Sequence, residues 1–276
     1  MTTPDVVVGV DGSDQALTAA AWAVAEAELR HAQVRVVLVN NDPARDEELW
    51  ASIEDVVDRL ATEHPNVGVC SEIARGHPAG ELVRRSADAQ LIVVGSRGRS
   101  AWSGSLLGSV STKVATHAHC PVVVVRDHLL SGPVVVGLDN SSHSRAALRF
   151  AFDEAAAHET DLVAMQVWRD TRHGPVVPPL DEEVTELRDE ARRGLAEQLA
   201  GWNEEYPDVG VREIARRGNP VTELTDAARD AQLLVVGHQG SGGFSGLLLG
   251  SVATGVLYHA HCPVAVVRGA TPSRQH

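Results

Sequence analysis

The sequence predicts an α/β protein of two tandem domains, each an open, five-stranded, mostly parallel sheet with helices on both faces. Three observations predict it. Short runs rich in valine alternate with stretches of helical periodicity, the pattern of right-handed βαβ crossovers. The whole programme is then repeated once. The length of 276 residues suits two cores of roughly 130 residues each. The expected domains are 1–127 and 133–269, with a short linker over His128 to Pro133 and a frayed tail from Gly269 to His276.

In the first half, Asp5-Val-Val-Val-Gly-Val-Asp11 reads as a buried strand, because β-branched residues without polar alternation suit a sheet covered on both faces. Ser13 is placed to cap a helix over Ala16 to Arg30. Val34 to Val39 is the second strand. Asp46 to His64 carries Leu49, Ile53, Val56, Val57 and Leu60 at helical spacing, ended by Pro65-Asn66. Val67 to Ala74 is the third strand, and Arg75-Gly-His-Pro78 turns into a short helix ending near Ser86. Gln90 to Gly95 is the fourth strand, Ser109 to His117 a helix, and Pro121 to Arg126 the fifth strand, its leading proline suiting an edge.

The second half restates these elements. Pro133-Val-Val-Val-Gly-Leu-Asp139 matches the first strand, with Ser141 or Ser142 as cap, and the helix runs on through Phe150 to His158. Asp161 to Val167 is the second strand. Arg217-Gly-Asn-Pro220 matches Arg75-Gly-His-Pro78, Asp230 to Gly237 matches Asp88 to Gly95, and His259-Ala-His-Cys-Pro263 matches His117-Ala-His-Cys-Pro121. The offset is 128 residues at Asp11/Asp139 and 142 at Gly95/Gly237, so fourteen extra residues lie between the second and third strands of the second copy. Asp170 to Leu180 and a longer helix after it are expected to hold them.

Composition narrows the function classes. The formal charge of −13 divides almost evenly between the halves, and neither has the basic excess of a non-specific nucleic-acid binder. No apolar run reaches the ~20 residues of a membrane span. The N-terminus lacks the pattern of a secretory signal. Cys70, Cys120 and Cys262 contain no CxxC pair, which fits a reducing compartment. A cytoplasmic protein without nucleic-acid or membrane partners is the expectation.

The chemistry-bearing feature is a glycine-rich loop after each fourth strand: Gly95-Ser-Arg-Gly98, nine residues, Gly108-Ser109, and Gly237-His-Gln-Gly240, nine residues, Gly250-Ser251. A strand, a glycine-rich turn and a helix N-terminus suit phosphate binding, since main-chain N–H groups and the helix dipole converge there. Gly95 and Gly98 are expected to exploit positive φ and to let backbone approach a ligand. Ser109 offers a hydroxyl to a phosphate oxygen, or is an ordinary helix-start serine. The loop is not of the Walker type, because the sole lysine, Lys113, lies within the following helix. Nor is it a dinucleotide fingerprint, which would follow the first strand.

With these residues in view, the sequence resembles the universal stress protein family, in its ATP-binding branch, over both halves. The G-x-x-G-(nine)-G-S spacing, the first-strand Gly-Val-Asp-Gly-Ser, the Gly-His-Pro and Gly-Asn-Pro turns and His-Ala-His-Cys-Pro carry the resemblance. It implies the adenine nucleotide alpha hydrolase-like form of the α/β fold and an ATP site in each domain, with Mg²⁺ on the phosphates. By position, Gly9, Val10 and Asp11 would border adenosine, Val39 would meet adenine, and Gly95, Arg97, Gly98, Gly108, Ser109, Val110 and Ser111 would hold ribose and phosphates. Their second-copy equivalents are Gly137, Leu138, Asp139, Val167, Gly237, Gly240, Gly250, Ser251, Val252 and Ala253, with Ala253 lacking the hydroxyl of Ser111. Arg97 and Arg99 are set against His238 and Ser241, and an inward arginine would favour tighter ATP binding by the first domain.

Plainer readings stand beside these. Asp11 either borders ligand or caps the next helix. His117-Ala-His119-Cys120 and its twin suggest packing at a helix end before zinc, for want of a fourth ligand. Trp102 and Phe244 either cover a nucleotide or anchor the loop, while Trp22, Trp50, Trp168 and Trp202 are read as packing residues. No activated nucleophile or metal-held water can be assembled. The resemblance implies a nucleotide-dependent stress-response regulator with little or slow hydrolysis, forming a homodimer or an intrachain pair through the fifth strands, Val122 to Val125 and Val264 to Val267. A slow ATPase or nucleotidyl-transfer enzyme is the main alternative, followed by a cyclic AMP binder or a chaperone-like module.

Overall fold

In the computed structural model, residues 3–98, 107–126, 131–168, 181–241 and 248–269 are described, the side chains of 181–184 apart. The chain divides into two units, Met1–Leu129 and Leu130–His276. Arg99, Trp102 and Phe244, residues 128–130 of the expected linker, all of Asp170 to Leu180, and the tail after Gly269 lie outside the described residues.

In the first unit the valine runs form β1 (Val6–Val10), β2 (Val34–Val39), β4 (Leu91–Gly95) and β5 (Val122–Val125), with β3 (Val69–Ala74) between them in sequence. The spatial order is β3-β2-β1-β4-β5, and every pairing is parallel. Helices α1 (Asp14–Leu29), α2 (Asp46–Glu63), α3 (Pro78–Arg85) and α4 (Ser109–His117) supply the crossovers. The chain winds outward from β1 to β3, then returns to β4 and winds the other way. With right-handed crossovers this reversal puts α1 and α2 on one face and α3 and α4 on the other. It also leaves β1 and β4 diverging at their carboxyl ends, where an open α/β sheet has its crevice.

Local chemistry fixes the element ends. Ser13 Oγ accepts the Ala16 N–H and caps α1, which stabilises a helix start by about 1 kcal/mol. Pro78 and Pro220 occupy the first helical turn of their helices, where the missing N–H costs nothing. Val6, Val8, Leu91, Ile92 and Val93 are fully buried. Each such side chain contributes roughly 1.5–3 kcal/mol by leaving water.

The second unit repeats the plan as β6 (Val134–Leu138), α5 (Ser142–Ala157), β7 (Leu162–Trp168), α6 (Asp181–Leu199), α7 (Trp202–Glu205), β8 (Val211–Arg217), α8 (Pro220–Ala227), β9 (Leu233–Gly237), α9 (Ser251–His259) and β10 (Val264–Val267). Its parallel order is β8-β7-β6-β9-β10. The cap is Ser141, whose Oγ accepts the Ser144 N–H at 3.0 Å. The helix expected to be longer, α6, has 19 residues against 18 in α2, and part of the added chain after it makes the separate α7. Gly201, at φ 85°, is the break, because a left-handed residue ends a helix and glycine takes that conformation at least cost.

Candidate functional site

Each glycine-rich loop is closed at its base by the same pair of main-chain bonds. In the first copy Ser96 N donates to Val125 O at 2.9 Å, and Gly108 N donates to Ser96 O at 2.7 Å. Gly108 then enters α4 in extended conformation (φ −77°, ψ 154°) without a side-chain cap. Within α4 the Thr112 N–H is the first that can reach back a full turn, to Gly108 O at 3.0 Å. The N–H groups of Ser109, Val110 and Ser111 therefore point out of the helix start, where its dipole is positive.

The loop glycines have a steric reason that differs from the expected one. Positive φ among the described glycines is confined to Gly12, Gly76 and Gly201, so Gly95 and Gly98 use ordinary backbone. A Cβ on Gly95 would lie 2.9 Å from the carbonyl of Gln15, because the first turn of α1 presses on the end of β4. A Cβ on Gly98 would lie 2.4 Å from Asp11 Oδ2. Asp11 holds that position with its other oxygen, which accepts from Ser13 N at 3.1 Å and Ser13 Oγ at 2.6 Å. The carboxylate thus links the β1–α1 turn to the loop. Of the two readings of Asp11, helix cap or ligand border, the cap belongs to Ser13, which Asp11 braces while also lining the cleft.

Above the carboxyl ends of β1, β2 and β4 lies a cleft of about 620 Å³. It is lined by every first-copy residue expected at the site: Gly9, Val10 and Asp11 from β1 and its exit, Val39 from β2, Gly95, Arg97 and Gly98 from the loop, and Gly108, Ser109, Val110 and Ser111 from α4. Gly9 admits the Leu82 side chain, which a Cβ there would approach to 2.7 Å. The Ser111 hydroxyl donates to Gly95 O at 2.7 Å, so its proton ties α4 to β4.

Sequence reasoning missed the outer wall, formed by Asn40, Arg45 and Leu49. Asn40, nine-tenths buried, donates from Nδ2 to Asp42 O at 2.7 Å and to Asp46 Oδ1 at 2.8 Å. Arg75 donates to Asn40 O at 2.8 Å and pairs with Asp46. This hydrogen bond from Arg75 holds the Asp46 carboxyl below its usual value. The turn Arg75-Gly-His-Pro78 was visible in the sequence, yet nothing in its spacing connects it to Asn40, which is 35 residues away.

In the second copy the loop base is the same: His238 N donates to Val267 O at 2.7 Å, and Gly250 N donates to His238 O at 2.8 Å. These bonds equate His238 with Ser96 and Gln239 with Arg97, correcting the pairing of Arg97 with His238. Gly250 enters α9 at φ −66°, ψ 152°, leaving Ser251, Val252 and Ala253 as its first turn. Asp139 repeats the link, accepting from Ser141 N at 3.2 Å and Ser241 N at 2.7 Å, and a Cβ on Gly240 would reach within 2.4 Å of it. Gly237 meets His143 of α5 as Gly95 meets Gln15, and Gly137 makes room for Leu224.

The walls differ. Leu138 of β6 pairs with Gln166 of β7, one residue before Val167. Gln198 of α6 donates to Gln166 Oε1 and accepts from Ser144 Oγ, each at 3.4 Å, and Ser144 in turn accepts from Asp139 N at 3.1 Å. Ala16 and Leu38 occupy the places of Ser144 and Gln166 in the first copy, and both line its cleft. Trp168 stands where Asn40 stands, with the Arg217 guanidinium 5.9 Å from its ring centre. Behind the loop, buried His238 accepts at Nε2 from Arg268 at 2.8 Å, and His143 accepts at Nδ1 from Gly269 N at 2.9 Å.

The model of the "Universal stress protein family" matches residues 3–126 and again residues 131–268. The chain belongs to the universal stress protein family. A universal stress protein of Mycolicibacterium smegmatis is 40% identical over 95% of this chain and 96% of its own length. One from Mycobacterium tuberculosis is 38% identical over the same shares. Among solved structures, a universal stress protein from Archaeoglobus fulgidus superposes with a TM-score of 0.69 at 20% identity, covering 97% of each chain. A putative universal stress protein from Pseudomonas aeruginosa gives 0.68 at 19% identity, covering 95% of this chain and 91% of its own. The tandem universal stress protein architecture and the α/β fold are thereby established for this chain.

Other sequence candidates hold structural places. His117, His119 and Cys120 do not converge within ligating distance; His119 N donates to Ser86 Oγ at 2.8 Å, tying the α4 exit to α3. Burial pushes the Cys120 thiol up to about 12, which removes its nucleophilic form at neutral pH. No described helix is long and apolar enough to cross a membrane.

Proposed function

We propose that this universal stress protein binds ATP in its first domain and uses the bound nucleotide to regulate a partner in a stress response, with little or slow hydrolysis. The observation that carries the reading is the cleft at the β1/β4 switch point, walled by β2 and floored by the glycine-rich loop and the α4 N-terminus. Its volume of about 620 Å³ is in the range of sites for cofactor-sized ligands. Adenine would lie between Val10 and the Val39 backbone, against Leu38 and Leu49. Ribose would face Asp11. The phosphates would meet Ser109 and the first-turn N–H groups, with Arg97 and Arg45 as the cations of the lining.

The lining also supports binding over turnover. Asp11 is its sole carboxylate, and one of its oxygens is engaged by Ser13. Among the described residues no second carboxylate lines the cleft to complete a protein cage for a cation. Mg²⁺ fits there only as a counter-ion carried on the phosphates, neutralising their charge. The second domain shares the loop and the Asp139 link, and we propose that it takes the same class of ligand more weakly.

Denaturing the purified protein and identifying the released nucleotide by mass spectrometry, with stoichiometry per chain, tests the reading. ATP released at about one equivalent or more per chain is expected, together with calorimetric binding that Gly98→Val removes from the tighter site. A chain that neither retains nor binds ATP would refute it. Release of cyclic AMP, or sustained turnover that Gly98→Val and Gly240→Val together abolish, would replace it with another reading.

A further inference from the structure

The second domain carries a groove that neither the family assignment nor the nucleotide reading uses. It lies between α6 and β8, encloses about 520 Å³, and is lined by Arg192, Arg193, Leu195 and Ala196 from the helix and by Glu213 to Arg216 from the strand. Its helix wall carries Arg192 and Arg193, and Glu213 and Ala215 of the strand share the α6 face with Gln166, while Ile214 and Arg216 alternate to the opposite face, where Arg216 pairs with Glu223 of α8. Arg192 and Arg193 have no ion-pair partner among the described residues, and Arg216 shares the single oxygen contact of Glu223 at 3.2 Å. In a chain of net charge −13 this is a local reversal of sign.

The strand beside the groove ends its sheet, since the order of this unit is β8-β7-β6-β9-β10. Gly210 O accepts from Leu162 N, and Gly218 N donates to Trp168 O. Main-chain groups of alternate residues point the same way along a strand. The N–H and C=O groups of Val211, Glu213, Ala215 and Arg217 therefore face away from β7. Two of those residues, Glu213 and Ala215, line the groove.

Such an edge is usually blunted, and charge is one means of doing so. The first domain shows that the fold does not require these arginines. By strand register Cys70 and Ala74 of β3 correspond to Arg212 and Arg216, and α2 has one arginine, Arg59, where α6 has Arg188, Arg192 and Arg193. The basic rim is a property of the second copy alone.

We infer that the α6–β8 groove is a docking site for an extended acidic segment of a partner protein, added as a further strand on the β8 edge. The outward groups of Glu213 and Ala215 hydrogen-bond the segment's backbone. Arg192 and Arg193 meet acidic side chains on the α6 face of the segment, whose intervening side chains turn to the opposite face of the sheet. Main-chain bonds give affinity in this mode, and the alternating side chains give selectivity.

A fluorescein-labelled decapeptide of alternating glutamate and valine, titrated against the full chain by fluorescence anisotropy, tests the inference. Saturable binding in the micromolar range is expected, weakening as salt is raised. Arg192→Glu with Arg193→Glu should weaken it at least tenfold. Ala215→Pro, which deletes one outward N–H and leaves the β7 ladder intact, should weaken it about fivefold, with far-UV circular dichroism unchanged. The same peptide N-methylated at alternate residues reads the main-chain contribution from the ligand side and should bind at least tenfold more weakly. The inference is overturned if the decapeptide does not bind at 150 mM salt. It is also overturned if the arginine variant or the N-methylated peptide binds like the original, or if a ten-residue oligothymidylate displaces the peptide at lower concentration than unlabelled peptide does.

Discussion

The two copies build the same loop base from the same bonds and surround it with different walls. In the first copy Ala16 and Leu38 present hydrocarbon to the cleft, and Arg97 and Arg45 line it as cations. In the second, Ser144, Gln198 and Gln166 hydrogen-bond to one another, and Gln239 replaces Arg97. Polar side chains that satisfy each other are desolvated at a cost if a base displaces their bonds. The comparison separates what the fold needs from what a ligand needs: the glycines and aspartates are common to both copies, and the wall is not.

Breaking the shared part should have the largest effect. Gly98→Val sets a side chain against the Asp11 carboxylate and should weaken ATP at the first site on the order of 100-fold, about 2.7 kcal/mol, as read by calorimetry. Gly240→Val should leave that site unchanged. Arg97→Gln imports the second copy's residue and should weaken ATP about 10-fold while changing adenosine affinity little, because the lost interaction is charge-assisted and specific to phosphate. The comparison is sharpened from the other side by Ser144→Ala with Gln198→Leu. Restoring hydrocarbon there should raise the second site's affinity about 3-fold, measured in a Gly98→Val background.

Ser111→Ala tests whether that hydroxyl serves the fold or the ligand. It removes the bond to Gly95 O and should cost about 1 kcal/mol of unfolding free energy, with a smaller effect on ATP affinity. The outer wall gives the smallest effect. Asp46 is held below its ordinary value of 3.8 by the Arg75 hydrogen bond. A carboxyl lowered in the folded state adds stability above its unfolded pKa, and this is lost as pH falls through the folded one. A carbon-detected NMR titration should place Asp46 below 3.8 in the natural protein and return it toward that value in Arg75→Met.

Most of the fold was legible because buried parallel strands leave a plain mark. Val6 to Val8 and Val134 to Val136 have no polar alternation, and a turn residue or cap follows each run. The duplication made each element visible twice. The candidate positions lie on strand ends and helix starts that left the same marks, and all the first-copy candidates line one cleft. What escaped was set by contacts between distant segments. Asn40, Asp46 and Arg75 assemble a wall from β2, α2 and the β3 exit, and a linear motif cannot register that. Nor does glycine reveal its reason in a sequence. Gly98 was expected to serve positive φ, and it makes room for Asp11. The pairing of Arg97 with His238 was one residue out, since the glycines of Gly95-Ser-Arg-Gly98 and Gly237-His-Gln-Gly240 already set Gln239 opposite Arg97.

The contact of Asp11 with Gly98, repeated by Asp139 and Gly240, bears on how a duplicated domain can drift. Because the glycine seats a carboxylate of its own chain, a side chain there would disturb the β1–α1 turn whatever the loop binds. After duplication, a copy released from its ligand would lose its wall residues first and its glycine signature last.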